Sequence, residues 1–171
     1  MPPIVSLIGK AGSGKTTLLC RLIPALTALG VRVGTIKHHA HAATMDQPGK
    51  DTWLHKQAGA SVVALASPFG VGVVRDTDHE LSLDELVSLY FQEVDLVITE
   101  GYKRGPAPKV EVFRSAAHDE TLAERDRTWL AMVSDDQLEC GLPRFGLDDA
   151  AGLAAFLIAT LGVTVRACNR P

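Results

Sequence analysis

The chain has 171 residues, 46% of them hydrophobic and 22% charged, with a formal net charge of −3. That length suits one domain with a substantial core, residues 1–171, and the charge balance offers no basic stripe for a nucleic-acid partner. Cys20, Cys140 and Cys168 are odd in number and far apart, which argues against a disulfide framework or a zinc–cysteine site and suits a reducing cytoplasm.

Met1-Pro2-Pro3 leads straight into Ile4-Val5-Ser6-Leu7-Ile8, a β-branched apolar run without the marks of a leader, so a soluble cytoplasmic protein is expected. Gly9-Lys10-Ala11-Gly12-Ser13-Gly14-Lys15-Thr16 follows and fits G-x-x-x-x-G-K-[ST], the phosphate-cradling loop between a strand and a helix. Its glycines let backbone N–H groups close around phosphate oxygens, and the helix N-terminus behind them favours an anion. Lys15 supplies a point charge to the β- and γ-phosphates, and the Thr16 hydroxyl is a ligand for Mg²⁺. A helix is predicted from Lys15 to Leu29, stopped by Gly30, with a kink or break near Cys20 because Pro24 cannot donate to it.

Val31 to Ile36 alternates like a strand, and a long loop runs from Lys37 to Lys50. A short helix is predicted over Asp51–Ala58, then strands over Ser61–Ala66 and Gly70–Arg75 that can pair as a hairpin. Ser82 and Glu85 have capping-box spacing and open a helix to about Phe91. Asp95 to Glu100 reads as a core strand. Lys109 to Arg114 alternates, which predicts one polar and one apolar face. Ser115 to Arg127 gives no clear signal, Thr128 to Val133 is another core strand, and the last helix starts near Asp148-Asp149 and runs to Leu161. The uncharged run from Ala150 to Gly162 is too short for a membrane span and reads as a core helix. Strands and helices alternate as βα units, which predicts an α/β fold of the P-loop NTPase type, a chiefly parallel sheet with helices on both faces.

A parallel sheet brings its strand ends to the edge that carries the phosphate loop. At about 3.3 Å per residue, Asp95 lies roughly 16 Å from Glu100, at the opposite end, so Glu100 is the Mg²⁺- or water-positioning acid and Asp95 a surface carboxylate. Asp51 follows the loop after the second strand, where it is either a nucleotide-sensing acid or the N-cap of its helix. Asp135 ends a late core strand, where it either accepts N1–H and the exocyclic amine of guanine or caps a turn. His38, His39 and His41, with His55, match no standard metal-ligand spacing.

Several segments occur in a telling order: the phosphate loop with Lys15-Thr16-Thr17, then Thr35-Ile36-Lys37-His38 and Pro48-Gly49-Lys50-Asp51-Thr52. Gln57-Ala58-Gly59-Ala60, Glu100-Gly101-Tyr102-Lys103 and Lys109 to Arg114 follow. Together they resemble the molybdopterin-guanine dinucleotide biosynthesis protein B (MobB) family, over about Ile4 to Asp135. The resemblance implies a GTP-binding homodimer, weakly hydrolytic with Mg²⁺, that assists a guanylyltransferase in attaching GMP to molybdopterin and handing over the guanine dinucleotide. It implies that Gly12, Ser13, Gly14, Lys15, Thr16 and Thr17 hold the phosphates and Mg²⁺, that Asp51 and Glu100 serve the metal and γ-phosphate, and that Asp135 lies near the base.

Two departures stand out. The loop after His38 is alanine-rich, which weakens a metal role there. Lys10 stands five residues before Lys15, the spacing of a lysine that reaches a partner's nucleotide in some dimeric ATPases. With no glutamine or arginine assigned to the transferred phosphoryl group, hydrolysis should be slow, since an arginine finger alone is worth about 10³ to 10⁵ in rate. Arg104 and Arg114 are the possible stand-ins. The competing readings are a small-molecule kinase, which needs an arginine-bearing lid, and a metal-insertion GTPase, which depends on the histidines.

Overall fold

A computed structural model describes residues 1–39, 45–122 and 125–166. In chain order its elements are β1 (Ile4–Ile8), α1 (Lys15–Ala28), β2 (Val33–Lys37), α2 (Asp51–Gln57), β3 (Val62–Ser67), β4 (Gly70–Arg75), α3 (Leu83–Tyr90), β5 (Leu96–Glu100), β6 (Lys109–Val112), β7 (Trp129–Val133), β8 (Arg144–Phe145) and α4 (Ala150–Leu161). They divide into two compact units, one built from residues 1–38 and from 86 onward, the other from residues 39–85.

The first unit is organised by a sheet in the order β2-β5-β1-β6-β7-β8, with every described pairing parallel. This is the expected α/β architecture of the P-loop NTPase type. Alternate residues of its central strands, Val5, Leu7, Leu96, Ile98, Val110, Val112, Ala131 and Val133, are buried in one cluster with Leu18, Leu22 and Leu26 of α1 and Leu153, Ala154 and Leu157 of α4. Spacings of three and four along each helix put these leucines on one stripe, so α1 and α4 pack on each other and on the same sheet face. Each fully buried Leu or Val contributes about 1.5–3 kcal/mol, so this cluster is the main source of the unit's stability. α1 runs unbroken through Pro24, contrary to the expected break. The carbonyl that loses its donor belongs to Cys20, an exposed residue, where solvent can replace the missing N–H.

The opposite sheet face is buried too, and it carries polar residues. Lys109 and Glu111 are 3% and 1% exposed, so the polar face that the alternation of β6 predicts is present and is buried. β6 is a central strand, and the segments on either side of it fold back over that face. The Lys109 ammonium donates to the carbonyls of Gly105 and Ala107 and to the Thr128 hydroxyl at 2.6–3.2 Å. Glu111 accepts the Leu122 N–H at 2.6 Å and faces Arg125 at 3.5 Å, while burial pushes its carboxyl above the usual range. Ser6 and Thr99 complete this polar layer with a 2.8 Å hydroxyl bond between β1 and β5.

Asp95 lies at the N-terminal end of β5, as expected, but it is not a plain surface acid. Its side chain is 7% exposed, accepting the Arg32 N–H at 2.9 Å and the Arg166 guanidinium at 3.0 Å. Burial alone would raise its pKa, but the Arg32 N–H and the Arg166 guanidinium outweigh it and hold the carboxyl below the ordinary range. A depressed carboxylate stabilises the fold above its unfolded value near pH 4, and this contribution fades as pH falls through the folded value. Asp95→Asn is therefore expected to cost about 1–2 kcal/mol at pH 7 and much less below pH 3, measured by urea denaturation across that range. An equal loss at both pH values would contradict the assignment.

In the second unit β3 and β4 form the expected antiparallel hairpin, a separate two-stranded sheet packed on α2. The capping box is present: Ser82 N–H and hydroxyl both donate to Glu85, and Glu85 N–H donates back to Ser82. Among the described residues no helix is long and apolar enough to cross a membrane. Cys168 lies outside the described residues.

Candidate functional site

β1 ends against β6, and the loop that follows turns across the C-terminal edge of the sheet. At Gly9 (φ +150°) a Cβ would sit 2.4 Å from the Val112 carbonyl oxygen and 2.6 Å from Ser13 Oγ, so only glycine lets the loop press onto β6. Ser13 is buried at 1% exposure, and Gly12 and Gly14 are left-handed at φ +75° and +95°. Gly14 is the N-cap of α1, and its carbonyl accepts from the Leu18 N–H at 2.9 Å, so the helix begins at Lys15 with its first N–H groups facing the loop.

The Lys15 ammonium donates to the carbonyls of Lys10 and Gly9 at 2.8 and 3.2 Å, curling the loop around its own cation. Burial pushes its pKa down; the Glu100 carboxylate works the other way, and Lys103 and Lys37 add to the lowering. A half-buried ammonium held by carbonyls, with no carboxylate in contact among the described residues, is poised for an anion.

Thr16, the first-turn neighbour of Lys15, donates to both oxygens of Glu100 at 3.0 and 3.1 Å, and Lys37 meets the same carboxylate at 3.2 Å. The parallel register explains this convergence, because Leu7 of β1 and Lys37 of β2 both pair with Glu100. A hydroxyl beside a carboxylate is the hard-oxygen donor set that Mg²⁺ accepts, with its remaining positions filled by water and phosphate. After Glu100, Gly101 (φ +112°) and Tyr102 (φ +54°) turn sharply, and the Tyr102 ring lies 4.5 Å from that of His38. A tyrosine in the left-handed region costs about 1 kcal/mol or more, which marks this turn as a built feature beside the site.

The far side of the loop borders a cavity of about 260 Å³ lined by Gly14, Thr17, Arg21, Arg114, Asp135 and Asp148, with Leu18 and Leu147. Asp135 lines this cavity, and its Oδ1 accepts the Leu147 N–H at 2.8 Å, a capping contact. Arg21 pairs with Asp148 and reaches the Leu147 carbonyl. Sequence reasoning missed Arg21, Leu147 and Asp148, since the strand that delivers the last two, β8, is only two residues long.

Asp51 opens α2 in the second unit; Lys50 takes the N-cap position, so Asp51 is a first-turn acid and not the cap. His41 lies outside the described residues, and among the described ones no group of three or more His, Cys, Asp or Glu is placed to hold a metal. Lys10 lines a separate polar cavity of about 400 Å³ with residues 115–120, where His118 meets the Ala11 carbonyl at 2.5 Å.

Comparisons with known proteins agree with the fold that carries this site. The profile of the family described as molybdopterin guanine dinucleotide synthesis protein B matches residues 4–135. A molybdopterin-guanine dinucleotide biosynthesis adapter protein of Escherichia coli (strain K12) is 36% identical over 162 residues, covering 92% of this chain and 93% of its own. One of the same description from Haemophilus influenzae is 36% identical, covering 91% and 87%. A crystal structure of molybdopterin-guanine biosynthesis protein B superposes with a TM-score of 0.74 at 31% identity, over 92% of this chain and 99% of that one. The Bacillus subtilis MobB structure gives 0.73 at 28% identity, over 93% and 98%. The chain therefore belongs to the MobB family.

Proposed function

We propose that this chain is a GTP-binding adapter in the biosynthesis of molybdopterin guanine dinucleotide, working in the cytoplasm with a molybdenum cofactor guanylyltransferase and with molybdopterin or its dinucleotide. The observation that carries the nucleotide part is the pairing of Thr16 with Glu100 beside the carbonyl-held Lys15. Residues 1–171 act as one nucleotide-binding module in this reading. Gly12, Ser13, Gly14, Lys15, Thr16 and Thr17 hold the phosphates, Thr16 and Glu100 hold Mg²⁺ with Asp51 as a further acid, and Asp135 reads the base. Bound Mg²⁺ would neutralise charge on the β- and γ-oxygens. Asp51 and Glu100 are the candidates for ordering water, and the lack of an arginine paired with Glu100 among the described residues supports slow hydrolysis, well below the ordinary enzyme value of about 10 s⁻¹.

Homodimerisation is part of the same reading and is supported by the hairpin. Val62, Val71 and Val73, on one face of it, are 57%, 68% and 49% exposed, and Phe69 at its tip is 99% exposed. Isolated two-stranded hairpins are marginal in water, and a contiguous apolar face of this kind marks a protein contact.

The test of the nucleotide reading is calorimetric titration of GTP and ATP in Mg²⁺ with wild type and Asp135→Ala. Wild type is expected to prefer GTP, and Asp135→Ala to lose about tenfold or more for GTP with little change for ATP, the loss of a charge-assisted hydrogen-bond pair. Equal wild-type affinities would overturn the guanine assignment.

A further inference from the structure

The cavity beside the phosphate loop holds two carboxylates, Asp135 and Asp148, which by themselves repel a nucleotide. Two cations face them. Arg21 is already committed, paired to Asp148 and bonded to the Leu147 carbonyl. Arg114 is different: among the described residues its guanidinium makes no hydrogen bond and no ion pair, although it lines the same cavity.

Its place is fixed from two directions. The aliphatic stem lies over the phosphate loop, with Arg114 Cδ 3.6 Å from where a Cβ on Gly14 would be. The backbone is pinned on both sides: Phe113 N–H donates to the Val133 carbonyl at 3.0 Å, and Ser115 donates through its N–H and hydroxyl to Asp136 at 2.8 and 2.5 Å. The Arg114 carbonyl itself accepts from Ala117 and His118 at 3.1 Å. A rigid backbone thus presents an exposed guanidinium beside Gly14, close enough to the Asp136 carboxylate to help lower its pKa but without a hydrogen bond or ion pair among the described residues, where little ordering entropy remains to be lost on binding an anion.

Which anion follows from the strand order. Thr16, Glu100 and Lys37 stand on the β5–β2 side of β1, and they mark the metal-bearing end of a bound polyphosphate. Arg114 follows β6 on the other side of β1, next to Thr17 and the Asp135 cavity. We infer that Arg114 is a ligand of the α-phosphate, the phosphate nearest the ribose, and not a stand-in for an arginine finger at the γ-phosphate. This rests on the reading that the phosphate loop takes a nucleoside triphosphate whose base enters the Asp135 cavity. It assigns Arg114 to holding nucleotide, which leaves the γ end without an arginine from this strand.

The test compares wild type, Arg114→Ala and Arg114→Lys by titration with GTP, GDP and GMP in Mg²⁺. Arg114→Ala should weaken all three by a similar factor, about ten- to a hundredfold for a charge-assisted contact, and Arg114→Lys should recover part of the loss. Melting temperatures without ligand should stay close to the wild-type value, since among the described residues the guanidinium makes no hydrogen bond or ion pair and its effect on Asp136 is that of an exposed charge. A loss confined to GTP would place Arg114 at the γ end, and a loss that lysine does not relieve would make it a base-stacking group. Either result, or no loss at all, overturns the inference. If wild type itself bound none of the three nucleotides, the underlying reading would fail instead.

Discussion

Lys15→Ala is expected to remove GTP binding, weakening it by about a hundred- to a thousandfold, the effect of truncating one member of a desolvated charge pair. The same change should leave the free protein as stable as wild type or slightly more so. The ammonium is half-buried and, among the described residues, is satisfied by the Gly9 and Lys10 carbonyls, and burial holds its pKa below the unfolded value of 10.5. A lysine with a depressed folded pKa binds protons more weakly in the native state, so stability rises with pH across the window between its folded and unfolded values. At pH 7 the charged group is therefore a burden on the free fold that alanine lifts. Thermal melts with and without GTP and Mg²⁺ check both halves: wild type shifts upward with nucleotide, the variant does not, and their ligand-free melts coincide or favour the variant. A wild-type upward shift in Lys15→Ala would remove Lys15 from the site.

Much of this site was legible because a parallel sheet obeys a simple rule. Glu100 could be preferred over Asp95 from strand direction alone, and the Thr16–Glu100 contact is the outcome of that rule. The capping box at Ser82 and the hairpin were legible because their bonds are local in sequence. Strand order was not legible. β5 inserts between β1 and β2, a choice made by long-range packing and not by any residue within β5. The alternation of Lys109 and Glu111 showed a polar face but not its burial, because periodicity reports polarity alone, and their partners Thr128, Leu122 and Arg125 come from segments without a periodic signal. Asp95 misled for the same reason: its partner Arg166 lies 71 residues away. Arg114 was visible as a cation after a strand, but only the strand order says which end of a nucleotide it faces.

Replacing Val71 and Val73 together by glutamate is expected to convert the proposed dimer to monomers. In the hairpin Val62 pairs with Arg75, Ala64 with Val73 and Ala66 with Val71, so these side chains share one face. Val63, Leu65 and Val74 belong to the opposite face, where Val63 is 7% exposed, Leu65 is 68% exposed and a cavity of about 260 Å³ is bounded by Met45, Asp46 and Thr52. One side of the ribbon is thus partly covered within its own unit, while the valines of the other side stand in solvent. Each strand also keeps one edge of backbone donors and acceptors outside the two-stranded sheet. A second copy related by two-fold symmetry satisfies both demands, since the same face and edge are presented twice. The symmetry doubles the penalty: two glutamates per chain place four carboxylates in the shared contact, and an unpaired buried charge costs several kcal/mol before its pKa yields. Dissociation should strengthen by about a thousandfold or more, which sedimentation equilibrium reads as a change from dimer to monomer mass. Val71 and Val73 are exposed in the single chain, so the variant's melting temperature at low protein concentration should match that of the wild-type monomer. A wild-type mass for the double variant, or a monomeric wild type at tens of micromolar, would show that the hairpin is not where two copies meet.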